Sequence, residues 1–431
     1  MNASPRLDAA LARLEARIDW ERRDRSAGWR VDLAPIRDLV ERAEWPCRSH
    51  RTCHVAGSKG KGSVASLIAA GLGRAGFRTG VFSSPHVERV HERIRVDGRP
   101  VDDAALAAAL EEALEVVERA EAEGSAGAAA SWFDIVTLAA FCAFRRAGVD
   151  WAVVEVGLGG RLDSTNVIDP PELAVVTTIE LEHTAILGDT HAAIAAEKGG
   201  IIKRGSRLVT GTPPESDAGT VLSGLATGHG VPHDVAWSAE DRTFEQANVR
   251  VARAALDALG DGTPGVAGDL LGPSEIAAAR LPGRMEWFEV GGVAVLLDGA
   301  HVASSVARAL SEAVSSGPGP WAAVVAVHGE KGLAELLAPL ARAGVERVLA
   351  TTVPGSGVHH PAAAIGAAAG ELGLEHEVHE APEGALESAL RWAGSRAATC
   401  GAGEEPRVIG TGSLYLAGAL RPLLAAPASP S

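Results

Sequence analysis

Apolar runs in the first half of the chain have the pattern of buried β-strands. The runs at 150–157 and 172–179 are continuous and rich in β-branched residues. That pattern is typical of parallel strands that are covered on both faces of a sheet. Shorter runs at 52–56 and 77–85 predict two further strands of the same sheet.

Helical patterns lie before and between these runs. Apolar residues three or four positions apart predict two N-terminal helices, one containing Leu11, Leu14 and Ile18 and one containing Leu33, Ile36 and Leu39. Further helices are predicted at 64–76, 104–120, 133–147 and 244–259. Strands that alternate with helices indicate a doubly wound α/β domain.

A second alternation of strands and helices follows later in the chain. The pattern stalls at 212–243, and 261–275 has the composition of a linker. Beyond it, strands are predicted at 293–299, 320–329, 347–352 and 406–413. We therefore expect two domains, 1–281 and a smaller Rossmann-like α/β domain at 282–431.

Charge and composition exclude several classes of protein. The chain has 431 residues, 46% of them hydrophobic, and a formal net charge of −15, which disfavours a broad surface for nucleic acid or anionic lipid. Its four cysteines show no CxxC spacing, so a zinc site is not indicated. No stretch reaches the roughly 18 apolar residues of a membrane span. A cytoplasmic protein with small-molecule partners is expected.

A glycine-rich segment between the first predicted strand and the following helix has the composition of a phosphate loop. Glycines let backbone N–H groups turn towards phosphate oxygens, and the helix N-terminus adds its positive dipole end. Lys61 is placed to reach the β- and γ-phosphates, and the Ser63 hydroxyl to lie near phosphate or Mg²⁺. The spacing is not GxxxxGK[ST], and the alternative is a surface turn. The nucleotide-binding candidates are Gly57, Ser58, Lys59, Gly60, Lys61, Gly62 and Ser63.

Polar residues at the predicted strand ends are candidate metal ligands. Glu155 ends one strand, His183 follows the next, and Ser84 follows the second strand of the chain. Doubly wound sheets place functional side chains at the carboxyl ends of their strands. Mg²⁺ prefers a few protein ligands completed by water and phosphate. The alternatives are a structural or solvated Glu155 and a His183 that binds no metal.

The phosphate loop also resembles the Gly-Thr-Asn-Gly-Lys-Gly-Ser loop of the folate ligases, with Ser58 and Lys59 as departures. Seven further segments resemble motifs of the dihydrofolate synthase/folylpolyglutamate synthase family of the Mur ligase superfamily, in the same order. The resemblance extends from about residue 9 to 422. The segments are 83–101, 155–168, 182–190, 197–205, 281–284, 296–301 and 411–418.

The resemblance implies an ATP-dependent ligase that joins L-glutamate to dihydropteroate, and to folates if it also extends polyglutamate. ATP phosphorylates a carboxylate, and the glutamate amine then attacks the acyl phosphate. It implies an N-terminal P-loop ATPase domain at 1–281 and a C-terminal glutamate ligase domain at 282–431. Two Mg²⁺ ions and ATP are the expected cofactors, and a monomer is the expected state.

The same resemblance implies roles for individual residues. Lys61, Lys198 and His301 are the catalytic candidates. Ser84, Glu155, His183 and a carbamylated Lys198 would hold Mg²⁺, and without the resemblance Lys198 would be an ordinary helix lysine. Asn248, Arg284 and Asp298 would contact the nucleotide, the last two from the second domain. The substrate would lie against 30–33, including Asp32 and Leu33, and against Ser131, Trp132, Phe133, Asp134, Leu162, Asp163, Ser164 and Ser413. Trp132 and Phe133 could cover a flat pterin, or could be core aromatics at the start of a helix.

Some positions depart from the family pattern. Glu182 stands where the family has Asp, and Val302 where it has Asn. A β-rich stretch is largely missing between 213 and 243. Two alternatives stay open: a Mur-type ligase with another carboxylate substrate, and a nucleotide-binding paralogue without turnover.

Overall fold

The computed structural model describes residues 4–18, 32–315, 317–328, 332–354, 359–401 and 403–425. These residues form two compact units. The first contains the described residues up to Leu281, and the second begins at Pro282. Across the described residues, no helix combines the length and apolarity needed to cross a membrane.

The first unit is built on an eight-stranded sheet in the order β4-β3-β2-β5-β1-β6-β7-β8. In this spatial order, the six neighbouring strands β2, β5, β1, β6, β7 and β8 are parallel. The short strand β3 pairs antiparallel with β2, and β4 pairs antiparallel with β3. The strands are β1 (Arg51–Ala56), β2 (Thr79–Phe82), β3 (Ile94–Val96), β4 (Arg99–Pro100), β5 (Trp151–Glu155), β6 (Leu173–Val176), β7 (Arg207–Thr210) and β8 (His233–Val235).

Helices cover both faces of this sheet, which is why its central strands β1, β5 and β6 are buried along almost their whole length. Helices α4 and α5 begin at the side-chain caps Asp102 and Ser131, which accept hydrogen bonds from backbone N–H groups of the first turn. The helices are α1 (Pro5–Glu15), α2 (Ala34–Arg42), α3 (Lys61–Arg74), α4 (Asp103–Glu123), α5 (Trp132–Ala147), α6 (Thr184–Leu187), α7 (His191–Gly199), α8 (Asp217–His229), α9 (Phe244–Gly260) and α10 (Pro273–Ala278).

The hydrophobic core lies in layers on either side of the sheet. On one face, α1, α2, α4 and α5 pack with buried residues such as Leu110 and Phe141. On the other face, α3 and α9 bury Ile68 and Leu256. The chain leaves β1 to one side of the sheet and later crosses to β6 on the other side. The carboxyl end of β1 is therefore at a topological switch point, where ligands of such sheets bind.

The second unit has a six-stranded sheet in the order β13-β12-β11-β14-β10-β9, parallel except for the edge strand β9. Its strands are β9 (Glu286–Val290), β10 (Val293–Leu297), β11 (Trp321–Val325), β12 (Val345–Ala350), β13 (Glu375–Val378) and β14 (Arg407–Thr411). Its helices are α11 (Ala303–Ser315), α12 (Leu333–Arg342), α13 (Ala362–Glu371), α14 (Pro382–Ala397) and α15 (Leu414–Ala425).

The predicted α/β fold class is confirmed, and each strand predicted above corresponds to a strand of the structure. The stalled segment 212–243 is more regular than expected, because it contains α8 and β8. The linker-like 261–275 contains a short 3-10 helix, Gly268–Leu270, and the start of α10. Its glycines and prolines mark turns around these short helices.

Candidate active site

The glycine-rich loop joins the carboxyl end of β1 to the first turn of α3. Gly57 and Gly60 have φ values of +139° and +82°, which side chains other than glycine rarely adopt. A Cβ at Gly57 would lie 1.9 Å from Oγ1 of Thr177, and one at Gly60 would lie 2.2 Å from Oδ1 of Asn248. Both glycines are therefore required by close approach as well as by backbone conformation.

The loop is attached to the segment that follows β6. The Ser58 N–H donates to the Thr178 carbonyl at 2.7 Å, and the Lys59 N–H donates to Oγ1 of Thr178 at 3.0 Å. The Thr177 hydroxyl donates to the Lys59 carbonyl at 2.6 Å. The Ser58 hydroxyl accepts from the N–H of Glu180 at 3.0 Å. These bonds hold the loop in one shape and leave the first turn of α3 to present its N–H groups.

Three lysine ammonium groups surround the loop. Lys61 and Lys198 both donate to the Gly57 carbonyl, at 3.0 and 2.9 Å. Glu182 accepts from Lys198 through one carboxylate oxygen at 3.1 Å and from Lys59 through the other at 3.2 Å. The structure thus brings together Lys59, Lys61 and Lys198, which come from the loop and from α7.

Burial and the neighbouring charges shift the pKa values of Lys198 and Glu182. Burial is the largest influence on Lys198, which is 1% exposed, and together with the charge of Lys61 it lowers the pKa of Lys198 to about 8. Burial alone would raise the pKa of Glu182, but the charges of Lys61, Lys198 and Lys59 bring that pKa down to about 2. Glu182 is therefore an anion, and Lys198 releases its proton more easily than a solvated lysine.

Glu155 lies at the end of β5, level with Val55 of β1. Its carboxylate accepts from the Ser84 N–H at 3.0 Å, and a Cβ at Gly62 would lie 3.1 Å from it. The structure therefore places Glu155 and Ser84 together beside the first turn of α3. A carboxylate and a neighbouring hydroxyl-bearing residue are the hard oxygen donors that Mg²⁺ prefers, so these donors fit such an ion.

The other two metal candidates are His183 and Lys198. His183 is exposed and adopts a left-handed backbone with φ of 49° just before α6. Lys198 is paired with Glu182. Within the described residues, no three His, Cys, Asp or Glu side chains form a metal-binding group by themselves. The ligand roles of Ser84, Glu155, His183 and Lys198 stay predictions.

Asn248 lies against the loop, in the first turns of α9. Its side-chain oxygen is the atom that a Cβ at Gly60 would meet. This places Asn248 beside the phosphate loop. Ser63, two residues into α3, is half-buried.

The polar candidates for substrate binding in the first unit form a connected group. Asp134 accepts from the Ser131 N–H and hydroxyl through one oxygen, at 2.8 and 2.7 Å, and from the Ser164 hydroxyl through the other at 2.6 Å. Asp163 is 5% exposed and accepts from the Leu158 N–H and the Thr165 hydroxyl, and burial raises its pKa. These side chains join the start of α5 to the 3-10 helix Ser164–Val167.

The two aromatic candidates differ in exposure. Trp132 is 1% exposed and lies in the core, with the Arg93 guanidinium 4.6 Å from its ring centroid. The core alternative therefore describes Trp132 better than a pterin-covering role. Phe133 is half-buried and packs on Gly157, where a Cβ would lie 2.5 Å from its ring. Phe133 stays the aromatic candidate for a substrate surface.

The remaining candidates of the first unit lie near α2 and near the 3-10 helix Ser164–Val167. Asp32 accepts from the Ala34 N–H at 2.9 Å, and Leu33 is buried. Leu162 is half-buried and packs against the same core. Residues 30 and 31 lie outside the described residues.

In the second unit, Asp298 follows β10 and is 9% exposed. Its carboxylate accepts from the N–H groups of Met285 and Ala300, each at 2.9 Å, and burial raises its pKa against the opposing charge of Arg284. Each of its two oxygens thus accepts one hydrogen bond from a backbone N–H group. His301 pairs through Nδ1 with the Gly299 carbonyl at 3.0 Å.

Arg284 and Ser413 lie at nearby turns of the same unit. A Cβ at Gly299 would lie 3.2 Å from the Arg284 guanidinium. Ser413 is 3% exposed, precedes α15, and accepts from the Tyr415 N–H at 3.2 Å. The nucleotide and substrate roles of these residues stay predictions.

Sequence reasoning assigned no function to Glu182, Thr177 or Thr178, although all three touch the loop. A signal existed for Glu182, because it lies in the segment that follows the buried strand β6, which ends at Val176 on the carboxyl edge of the sheet. The threonines carried no such signal, since they resemble ordinary strand residues.

Comparison with known proteins identifies the class of the chain. Residues 283–404 match the family model of the Mur ligase glutamate ligase domain. The dihydrofolate synthase/folylpolyglutamate synthase of Mycobacterium tuberculosis is 43% identical over 182 residues, which are 41% of this chain and 37% of that protein. The chain thus spans less than half the length of the curated relatives it matches.

Solved structures match the chain over nearly its whole length. The folylpolyglutamate synthase of M. tuberculosis complexed with ADP has a TM-score of 0.83 and 29% identity, covering 98% of this chain and 99% of that one. The bifunctional folylpolyglutamate synthase/dihydrofolate synthase of Yersinia pestis, complexed with AMPPNP and Mn ion, has a TM-score of 0.75 and 25% identity, covering 97% and 98%.

These matches confirm the resemblance seen in the motifs. The chain therefore contains a region similar to the Mur ligase glutamate ligase domain. Its homologues and structural neighbours include folylpolyglutamate synthase and dihydrofolate synthase enzymes.

Proposed function

We propose that the protein is an ATP-dependent amide ligase that joins L-glutamate to dihydropteroate, and that it extends folates with glutamate. The observation that carries this proposal is the cluster of Lys59, Lys61 and Lys198 at a glycine loop, with Glu155 beside the same loop. Positive charge at a helix N-terminus suits a nucleotide polyphosphate. The name of the M. tuberculosis relative, dihydrofolate synthase/folylpolyglutamate synthase, supports a folate product and the addition of glutamate.

The reaction has two balanced steps. A carboxylate oxygen of the acceptor attacks the γ-phosphorus of ATP, and ADP leaves, giving an acyl phosphate. The neutral amine of glutamate then attacks the acyl carbon, an amide bond forms, and phosphate leaves with the amine proton released. Because the transferred group carries dispersed negative charge, the protein contributes mainly by positioning and charge neutralisation.

The residues of the loop have defined tasks in this proposal. The N–H groups of the first turn of α3 hold phosphate oxygens, and Lys61 neutralises charge on the transferred group. Lys61 would exchange its bond to the Gly57 carbonyl for one to phosphate. Glu155 and Ser84 would hold a divalent ion, which would supply positive charge against the charge of the phosphates.

Lys198 is the candidate for carbamylation. Its amine would attack CO₂, forming an N–C bond and releasing a proton, and the product is an anion that can serve as a metal ligand. The reaction needs the neutral amine, and burial lowers the pKa of Lys198 to about 8, which makes that form accessible. We propose two Mg²⁺ ions, held by Ser84, Glu155, His183 and the modified Lys198. Action as a cytoplasmic monomer likewise stays a proposal.

Product formation by the purified protein tests this function. ADP and the glutamylated product are measured with ATP and Mg²⁺, with and without dihydropteroate and with and without glutamate. We expect ADP release that needs all components, and no product when Mg²⁺ is chelated. ADP release with a different carboxylate only would indicate a Mur-type ligase of another substrate. Nucleotide binding without any product would indicate a paralogue that has lost ligation.

A further inference from the structure

A chain of buried hydrogen bonds runs from the strand β1 to the segment that follows β5. His54 of β1 pairs through Nε2 with the Thr165 hydroxyl at 2.8 Å, and that hydroxyl donates to Oδ1 of Asp163 at 2.6 Å. His54 and Thr165 are fully buried, and Asp163 is 5% exposed. Because little solvent is available to replace these bonds, the three side chains depend on one another.

The direction of each bond follows from the donors that are available. The Thr165 hydroxyl has one proton, which it donates to Asp163, so its oxygen must accept from the N–H at Nε2 of His54. Burial lowers the pKa of His54 to about 3, so the ring is neutral and Nδ1 carries no proton. Nδ1 is buried and has no hydrogen-bond partner among the described residues. A buried polar atom without a partner costs stability, and such costs are typical of functional sites.

Asp163 closes the loop 157–165, which we call the acceptor loop. Its Oδ2 accepts from the N–H of Leu158 near the start of the loop at 2.9 Å, and its Oδ1 accepts from the N–H of Thr165 at the end of the loop at 3.0 Å. One carboxylate thus holds both ends of the loop, and its position depends on the Thr165 hydroxyl. His54 in turn fixes that hydroxyl from β1.

The acceptor loop contacts the residues that are predicted to bind the substrate. Its first residue, Gly157, packs on Phe133, since a Cβ there would lie 2.5 Å from the ring. Near its end, the Ser164 hydroxyl donates to Asp134 at 2.6 Å. Because the hydrogen bonds of Asp163 join the two ends of the loop, a shift of that carboxylate would disturb both contacts.

We propose that His54 and Thr165 are positioning residues for the acceptor substrate, and that they hold the acceptor loop in the shape that binds the pterin ring. The inference rests on the proposed function in taking dihydropteroate as the acceptor, and on the predicted substrate surface at Phe133 and Ser164. Because His54 and Thr165 are fully buried, they act through the loop and not by touching the substrate. The phosphate loop is held by the segment after β6 instead, so ADP affinity should not depend on them.

Removal of the Thr165 hydroxyl tests this role. Thr165→Val keeps the shape of the side chain but leaves Asp163 and His54 without their shared partner, whereas Thr165→Ser keeps the hydroxyl. Dihydropteroate affinity is measured by calorimetry with ADP present at saturation, and ADP affinity is measured separately. We expect Thr165→Val to weaken dihydropteroate binding about tenfold, because a hydrogen bond to a buried carboxylate is lost. Thr165→Ser should stay within about threefold of the wild type, and ADP affinity within about twofold in both variants.

Two comparisons separate this role from a general loss of stability. His54→Gln keeps an N–H that can reach Thr165 and should bind dihydropteroate like the wild type, whereas His54→Leu should weaken binding as Thr165→Val does. Thr52→Val removes another buried hydroxyl of β1, which pairs with Nδ1 of His50 at 3.3 Å. It should change the unfolding temperature and leave dihydropteroate affinity unchanged. If His54→Leu does not fold, the two Thr165 variants decide alone.

Each result supports or overturns the positioning role. Wild-type dihydropteroate affinity in Thr165→Val would overturn it, and so would an equal loss in Thr52→Val or an equal loss of ADP affinity. A wild type that binds ADP but no dihydropteroate would overturn this inference together with the proposed acceptor. A wild type that binds both but forms no amide would reject the ligation alone, because the affinities still report on Thr165.

Discussion

Two lysines share the Gly57 carbonyl as an acceptor, and they are suited to different chemistry. Lys61 is half-buried in the first turn of α3, whereas Lys198 is 1% exposed. A charged side chain that must reach phosphate needs some access, and an amine that must react in neutral form benefits from burial. Substitutions of Lys61 and of Lys198 should therefore reduce turnover for different reasons.

Lys61→Ala should reduce kcat by roughly 100-fold or more while the protein stays folded, because a charge at the transferred phosphate is removed. Arg74→Ala is the matched control, since it removes an exposed cation from the other end of the same helix. Turnover and unfolding temperature are measured for both. Near-normal turnover of Lys61→Ala would reject the assignment of the phosphate loop.

Lys198→Ala and Lys198→Arg should both be inactive if the carbamate is needed, because neither side chain can form it. Small carboxylic acids added to Lys198→Ala should restore part of the turnover by supplying the missing oxygens. Assays with and without such acids check this. If Lys198 were an ordinary helix lysine, both substitutions would leave turnover nearly unchanged. Full activity of Lys198→Arg would therefore reject the carbamate role.

At the scale of elements, the site depends on the junction between β1 and α3. The loop is held by the ends of β6 and by α9, so four elements determine its shape. The N-cap residue of α3 is Gly60, which has no side chain to accept a hydrogen bond from the first turn. That leaves the first-turn N–H groups for a ligand, and the loop must obtain its rigidity from neighbouring elements instead.

Gly60→Ala should weaken ADP binding and destabilise the first unit by about 1–3 kcal/mol, because a Cβ there meets Asn248 at 2.2 Å in a left-handed backbone. Gly76→Ala is the control, since φ is +93° but nothing lies within 4 Å of the added Cβ. Affinity and urea unfolding are compared. Equal losses of ADP affinity and of stability in the two variants would show that backbone strain, and not the contact with Asn248, causes them.

Adding Asn248→Ala to Gly60→Ala tests the clash directly. Relief of the contact should restore part of the stability that Gly60→Ala loses. No restoration would mean that the Asn248 side chain is not what Gly60 accommodates.

At the scale of the whole molecule, the burial of a histidine makes the free energy of unfolding depend on pH. His54 of β1 is fully buried and pairs through Nε2 with the Thr165 hydroxyl at 2.8 Å. Burial lowers the pKa of His54 from 6.5 to about 3, so only the unfolded chain is protonated between these values. The resulting stability is fully present above pH 6.5 and is lost as pH falls towards 3.

Between pH 7 and pH 5 this single group should reduce the free energy of unfolding by about 2 kcal/mol. His54→Gln should show a smaller drop across that interval, whatever its stability at pH 7. The exposed His191→Gln should show the wild-type drop. Urea titrations at the two pH values measure it, and an unchanged drop in His54→Gln would contradict the assignment.

The central sheet could be predicted because strands covered on both faces are continuous apolar runs, as in 151–154 of β5 and in β6. The edge of the sheet could not, because β8 is short and largely exposed and lies among turn residues. The glycines and Lys61 could be placed from local spacing. The pairing of Glu182 with Lys59 could not, because it depends on how closely the chain after β6 approaches the loop.

The convergence of three lysines on one loop has a spectroscopic consequence. Because the chain has five lysines, selective ¹⁵N-lysine labelling would produce five backbone amide signals, three of them from the lysines around the glycine loop. Lys203 and Lys331 supply the remaining two signals. A protein of 44.2 kDa would thus yield a spectrum simple enough to assign by five single substitutions. Titration with nucleotide could then be followed through the three signals of the site, with Lys203 and Lys331 as internal references.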